Sequence, residues 1–165
     1  MADVTLPIHI IKGRGAATRI PHRFERDVRD AYDDGWGTLE DAQNDAARPR
    51  TEAFLEDARS VIATNDSPDI YFDYSINPYR GCEHGCIYCY ARPTHSYLNL
   101  SPGLDFETKI IAKRNIAEVL RADLAKPRYV PRLLNIGSAT DCYQPLEREL
   151  RLTRSVIEVL QDVRH

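Results

Sequence analysis

The chain has 165 residues, with 22 Lys and Arg against 25 Asp and Glu, a net charge of −3. Hydrophobic residues make up 42% and charged residues 28%, as in ordinary globular proteins. This balance argues against wholesale electrostatic binding to nucleic acid, and no apolar run approaches the roughly 18 residues needed to cross a bilayer.

Met1 to Ile11 lacks the charged start and apolar centre of a secretory signal, so a cytoplasmic location with no membrane partner is expected. In a reducing cytosol, clustered cysteines bind metal or do redox work more often than they form disulfides.

Residues 1–66 read as an N-terminal extension, partly irregular. From Lys12 to Arg29 the charge is mostly basic, and from Asp30 to Asp57 mostly acidic, with few large apolar residues and little periodicity. The plain reading of these runs is a solvated surface. A sharper one is that Gly13, Arg14 and Gly15 grip an anion.

Organised structure is expected from about Asp69, and residues 67–165 read as the start of an α/β domain. Ile70–Ile76 is aromatic-rich and bounded by Ser67-Pro68 and Asn77-Pro78, which suits a short strand. Pro93 and the Ser101-Pro102-Gly103 turn then break the chain. Lys109–Ala112 reads as a strand or a helix start. Asn115 is placed to cap a helix whose Ile116, Val119, Leu120 and Leu124 share one face, with Pro127 and Pro131 ending it. Leu133–Ile136 fits a buried strand closed by Gly137. A last helix opens at Gln144-Pro145, with Leu146, Leu150, Ile157 and Leu160 marking its apolar stripe and Val156 and Val163 beside it.

Strand and helix thus alternate from Ile70 onward, the pattern of a parallel α/β sheet. Two such units cannot cover both faces of a sheet or close a barrel. The expectation is therefore a truncated piece of a larger domain, with apolar surface open along Val156, Ile157 and Leu160.

The chemistry centres on Cys82, Cys86 and Cys89, a C-x3-C-x2-C cluster within one short loop. Three thiolates so close in sequence can converge on one metal centre, and iron–sulfur clusters prefer such soft ligands. Three protein ligands on a four-iron cubane leave one iron open to a small molecule, whereas a fourth would close it. Gly81 and Gly85 let the backbone turn tightly around Cys82. Tyr88 presents an aromatic face suited to stacking on a nucleobase. A structural zinc site, completed by His84, His95 or Cys142, is the first competing reading, although no second Cys or His pair supports it. Unliganded buried cysteines are the second.

The segment Ser75–His95 (S-I-N-P-Y-R-G-C-E-H-G-C-I-Y-C-Y-A-R-P-T-H), with L-S-P-G-L-D-F-E-T-K at Leu100–Lys109 and Y-Q-P-L-E-R at Tyr143–Arg148, resembles the radical S-adenosylmethionine (SAM) superfamily, in the DNA repair photolyase-like branch related to spore photoproduct lyase. The resemblance runs from about Lys12 onward and is strongest from Ser67 to Arg154. It implies the N-terminal part of a partial (β/α) barrel, with a [4Fe-4S] cluster on Cys82, Cys86 and Cys89 in the loop after the first strand. SAM would chelate the open iron and be cleaved reductively to a 5′-deoxyadenosyl radical, with a reductant such as a flavodoxin or ferredoxin as partner.

In that family the segment after the second barrel strand helps to hold SAM. Here it reads G-S-A-T-D-C-Y, which makes Ser138, Thr140 and Asp141 the candidates beside Tyr88. The competing reading is that Ser138 and Asp141 cap the following helix. Relatives usually carry proline where this chain has Cys142.

The branch name does not fix the substrate. Arg121, Lys126, Arg128 and Arg132 form a mildly basic stretch that a solvated face explains as well as nucleic-acid binding does. The expectation is a radical SAM enzyme. Its alternatives are a non-catalytic iron–sulfur protein for electron transfer or sensing, and a zinc-stabilised binding module.

Overall fold

The computed structural model describes residues 15–16, 20–25 and 50–165. The elements in order are β1 (Glu52–Glu56), β2 (Ile62–Thr64), β3 (Tyr74–Ile76), β4 (Tyr79–Arg80), a 3-10 helix (Arg92–Leu98), α1 (Asp105–Thr108), β5 (Lys109–Lys113), α2 (Ile116–Leu124), β6 (Leu134–Ile136), α3 (Glu147–Leu150) and α4 (Leu152–Asp162). The α/β class expected from the sequence is the one observed. The strands form two three-stranded sheets, in the orders β1-β5-β4 and β2-β3-β6, and they close no barrel among the described residues.

Each sheet holds one parallel and one antiparallel pair. In the first, β1 runs parallel to β5, with Glu52 opposite Lys109, and β4 runs antiparallel to it. In the second, β3 runs parallel to β6, with Ile76 opposite Ile136, and β2 runs antiparallel to β3. The β3–β6 pair needs a crossover, and α2 lies within it. Parallel neighbours cannot be joined by a tight turn.

The main core lies between the sheets and the helices. Ile76, Ile110, Ala112, Ile116, Leu120 and Val156 are fully buried there, joined by Tyr79 and Val159. Along α2 the buried pair Ile116 and Leu120 sits one turn apart, with Val119 and Leu124 partly buried at the flanks, which is the face read from the sequence. A second, smaller cluster joins Cys82, Ala91 and Phe106, with Cys89 and Ala139 packed against it. The three-cysteine loop therefore has apolar packing of its own.

Several expectations need correction. Structure begins well before Asp69, because β1 and β2 lie within the stretch read as an irregular extension and pair into the two sheets. The strand expected over Ile70–Ile76 is confined to its last three residues, since only those find partners in β2 and β6. Lys109–Ala112 is a strand, and a one-turn helix precedes it. Asn115 stands at the α2 N-cap position but makes no capping bond with its side chain. Its amide instead accepts from Ala58 N at 2.8 Å and donates to Ala58 O at 3.0 Å, tying the β1–β2 turn to α2.

The single last helix is two helices, broken at Arg151, whose φ of 53° puts it in the left-handed region. Glu147 supplies the cap that α4 lacks locally, its carboxylate accepting from Thr153 N at 3.1 Å and Arg154 N at 3.0 Å. The same carboxylate accepts from the Tyr79 hydroxyl. Of the apolar surface expected to be open, Val156 is fully buried and Leu160 partly so, while Ile157 is exposed. Val156 and Leu160 pack on the core that α2 shares with α4.

Candidate metal centre

The three cysteines follow β4 in a loop of tight turns. Gly81 and Gly85 both have positive φ, 87° and 64°, as the need for sharp bends implied. Space is the second reason for glycine at both positions. A Cβ on Gly81 would lie 2.8 Å from Phe106 O, and one on Gly85 would lie 2.6 Å from a Glu107 carboxylate oxygen. Cys82 is buried, its amide donating to Phe106 O at 2.9 Å. Cys86 is exposed and Cys89 half-buried, with Cys89 N donating to Cys86 O at 3.1 Å. Burial pushes the Cys82 thiol up from its ordinary value, against the amides of Asp141 and His84, which favour the thiolate.

The donor chemistry suits a soft metal centre, since three thiols share one loop. Their arrangement is open. Among the described residues, no three His, Cys, Asp or Glu side chains are gathered into a group able to hold a metal ion.

The segment after β6 lies directly on this loop. Thr140 is buried and donates its hydroxyl to Gly81 O at 2.7 Å. Gln144, also buried, accepts from Glu83 N at 3.1 Å. Asp141 places one carboxylate oxygen 3.3 Å from His84 Nε2 and takes Tyr143 N on the other at 2.7 Å. Ser138 Oγ accepts from Asn77 Nδ2 at 3.0 Å, and the Tyr90 hydroxyl donates to Ser138 O. Ser138, Thr140 and Asp141 are thus brought to the cysteine loop, where Thr140 is occupied in fastening it. Tyr88 stands free of them, its ring 86% exposed. Neither Ser138 nor Asp141 caps a helix; α3 has Leu146 at its N-cap position and no side-chain cap.

The remaining ligand candidates are dispersed. His95 is fully buried in edge contact with Phe106, ring centroids 5.1 Å apart. Its Nε2–H donates to Lys109 O at 3.0 Å, and its Nδ1 has no partner among the described residues. Burial pushes the His95 ring below its ordinary value. Cys142 sits half-buried beside Gly137, and its carbonyl accepts from Thr153 Oγ1 at 2.7 Å.

Sequence reasoning missed the group that fastens the loop from behind. Arg92 Nη2 lies 2.5 Å from Glu107 Oε1 in a buried ion pair. The guanidinium also donates to Cys86 O through Nε, Gly85 O through Nη2 and Gly103 O through Nη1, each at 2.9 Å. Every direction of the fork is used, which a lysine could not reproduce. Neither residue was singled out in the sequence, and the only available hint was their place inside the motif-bearing segments.

Three of the four basic residues from Arg121 to Arg132 are paired. Arg121 pairs with Asp162, Lys126 with Asp123 and Arg132 with Asp73. No helix among the described residues is long and apolar enough to cross a membrane.

An uncharacterized protein of Mycobacterium tuberculosis is 45% identical over 89 residues, which are 54% of this chain and 26% of that protein. One from Methanocaldococcus jannaschii is 31% identical over 85 residues, 52% of this chain and 30% of its own length. The chain thus spans under a third of the length of these curated relatives. No known family profile and no solved structure matches it.

Proposed function

We propose that Cys82, Cys86 and Cys89 hold a [4Fe-4S] cluster and that the chain is the front part of a radical SAM enzyme, built on the first strands of a partial (β/α) barrel. The observation that carries this reading is the packing of the Ser138–Gln144 segment, which follows β6, onto a C-x3-C-x2-C loop. That segment leaves the carboxyl end of β6, which runs parallel to β3, and ligands of α/β proteins bind outside such strand ends.

When bound, the cluster supplies the electron that cleaves SAM to methionine and a 5′-deoxyadenosyl radical. The chain's own residues hold and orient. Cys82 would provide the anchored ligand, with the exposed Cys86 and the half-buried Cys89 as the other two, each held as a thiolate. Tyr88 offers its free ring to the adenine. Asp141 and Ser138 would hold the polar groups of SAM, while Thr140 keeps their segment on the loop through Gly81 O. A substrate and an electron donor such as a flavodoxin or ferredoxin complete the proposal for the longer protein.

The test is anaerobic reconstitution of the longer protein with iron and sulfide, followed by SAM and dithionite. About four irons per chain and release of 5′-deoxyadenosine are expected. A chain that takes up zinc and no iron would make the site a structural zinc module. An intact cluster with bound SAM and no deoxyadenosine would leave an electron carrier or sensor.

A further inference from the structure

Of Gly13, Arg14 and Gly15, read from the sequence as an anion grip, the first two lie outside the described residues, and Gly15 meets an anion: the side chain of Glu107. Gly15 N donates to Glu107 Oε2 at 2.9 Å and Ala16 N to Glu107 Oε1 at 2.7 Å. Two adjacent amides aimed at one carboxylate form a small nest for negative charge. Glu107 is fully buried, and its other contact is the Arg92 guanidinium, which holds the carbonyls of Gly85 and Cys86. One carboxylate therefore joins the N-terminal segment to the backbone of the second cysteine.

The approach is also direct. A Cβ on Gly15 would lie 1.8 Å from Gly85 O, so this segment lies against the cysteine loop with no room for a side chain. Two further attachments follow along the same segment. Ile20 exchanges two hydrogen bonds with the buried Ser101 hydroxyl, at 2.9 and 2.6 Å. The Arg23 guanidinium lies over the Tyr97 ring, 4.7 Å from its centroid.

We propose that Gly15 and Glu107 are positioning residues for the metal centre: the N-terminal segment latches onto Glu107 and, through Arg92, sets the conformation of the Gly85–Cys86 backbone that metal loading requires. This extends the iron–sulfur reading of the loop. The latch itself is a property of the metal-free chain and is measurable without metal.

The experiment compares wild type with Gly15→Ala. Amide hydrogen exchange is followed in the metal-free chain over residues 82–92 and over α2, and iron is measured after anaerobic reconstitution. The alanine methyl displaces the segment while leaving both ion-pair partners in place. Exchange over 82–92 is expected to rise about tenfold with α2 unchanged, and iron retained per chain to fall. Unchanged exchange over 82–92 would overturn the latch.

If Gly15→Ala speeds α2 as well, the variant has lost its fold and Ala16→Pro decides. It removes one amide donor without adding a methyl at Gly15, and the same loop-restricted rise is expected. No rise there overturns the latch. A loop that responds to the substitutions, in a protein whose wild type binds no iron, would support the latch and sink the cluster reading. A loop that ignores both substitutions in a chain that binds iron would do the reverse.

Discussion

Arg92 and Glu107 form an ion pair whose carboxylate is wholly excluded from solvent, and the guanidinium spends its remaining donors on the backbone carbonyls around Cys86. Removing one member of such a pair strands a buried charge. Arg92→Ala is expected to cost about 3–5 kcal/mol in chemical denaturation. Adding Glu107→Gln should recover part of that loss, because the stranded charge is gone. Equal stability of Arg92→Ala and wild type would show that solvent reaches Glu107.

The metal reading predicts a sharp division among the four cysteines. Cys82→Ala, Cys86→Ala and Cys89→Ala should each abolish iron binding, measured as iron per chain after reconstitution. Cys142→Ala should retain it, since Cys142 lies after β6 beside Gly137 and outside the loop. Loss of iron in Cys142→Ala would make the site a four-cysteine centre with no open iron.

Asp141→Asn separates a polar contact from an iron ligand. The carboxamide oxygen can still accept from Tyr143 N, so the turn after β6 is expected to persist. On the proposed reading the charge offered to SAM is lost, and binding should weaken about tenfold, as for a hydrogen bond to a charged group. Equilibrium dialysis of SAM against the reconstituted protein measures this, and the cluster spectrum should be unchanged.

His95 gives a pH dependence whose sign is fixed. Burial lowers its folded-state value below the ordinary 6.5, so the unfolded chain takes up a proton first on acidification. Stability from this residue is complete above about 6.5 and is lost as pH falls from there toward the folded-state value. The denaturant midpoint should therefore drop between pH 7 and 5. His95→Gln, which can still donate to Lys109 O, should flatten that slope.

What the sequence disclosed follows from where its signals are local. The α2 face was visible because Ile116 and Leu120 are one turn apart and buried together. The cysteine triad was visible because its ligands are contiguous, and Gly81 and Gly85 because the bends are made within the loop itself. β1 was hidden: most of its residues are exposed, and it is ordered by β5, far along the chain, with no alternation of its own to show. β4 has only two residues and is likewise defined by its partner. The break at Arg151 carries no glycine to announce it. The Arg92–Glu107 pair was hidden because burial of a charge depends on tertiary partners that spacing does not reveal.

The parallel register of β1 with β5 also bears on synthesis. β1 leaves the ribosome before its partner exists, and the cysteine loop must be made before the two can meet. Non-local pairing of this kind is slow, because loop-closure entropy is lost before any contact offsets it. Phe54 and Leu55 are adjacent apolar residues of β1, and both remain about half exposed among the described residues. Glu52 and Glu56 flank them at the two ends of the strand. Charges that flank an apolar strand disfavour its pairing with a second copy of itself, and β1 has that pattern.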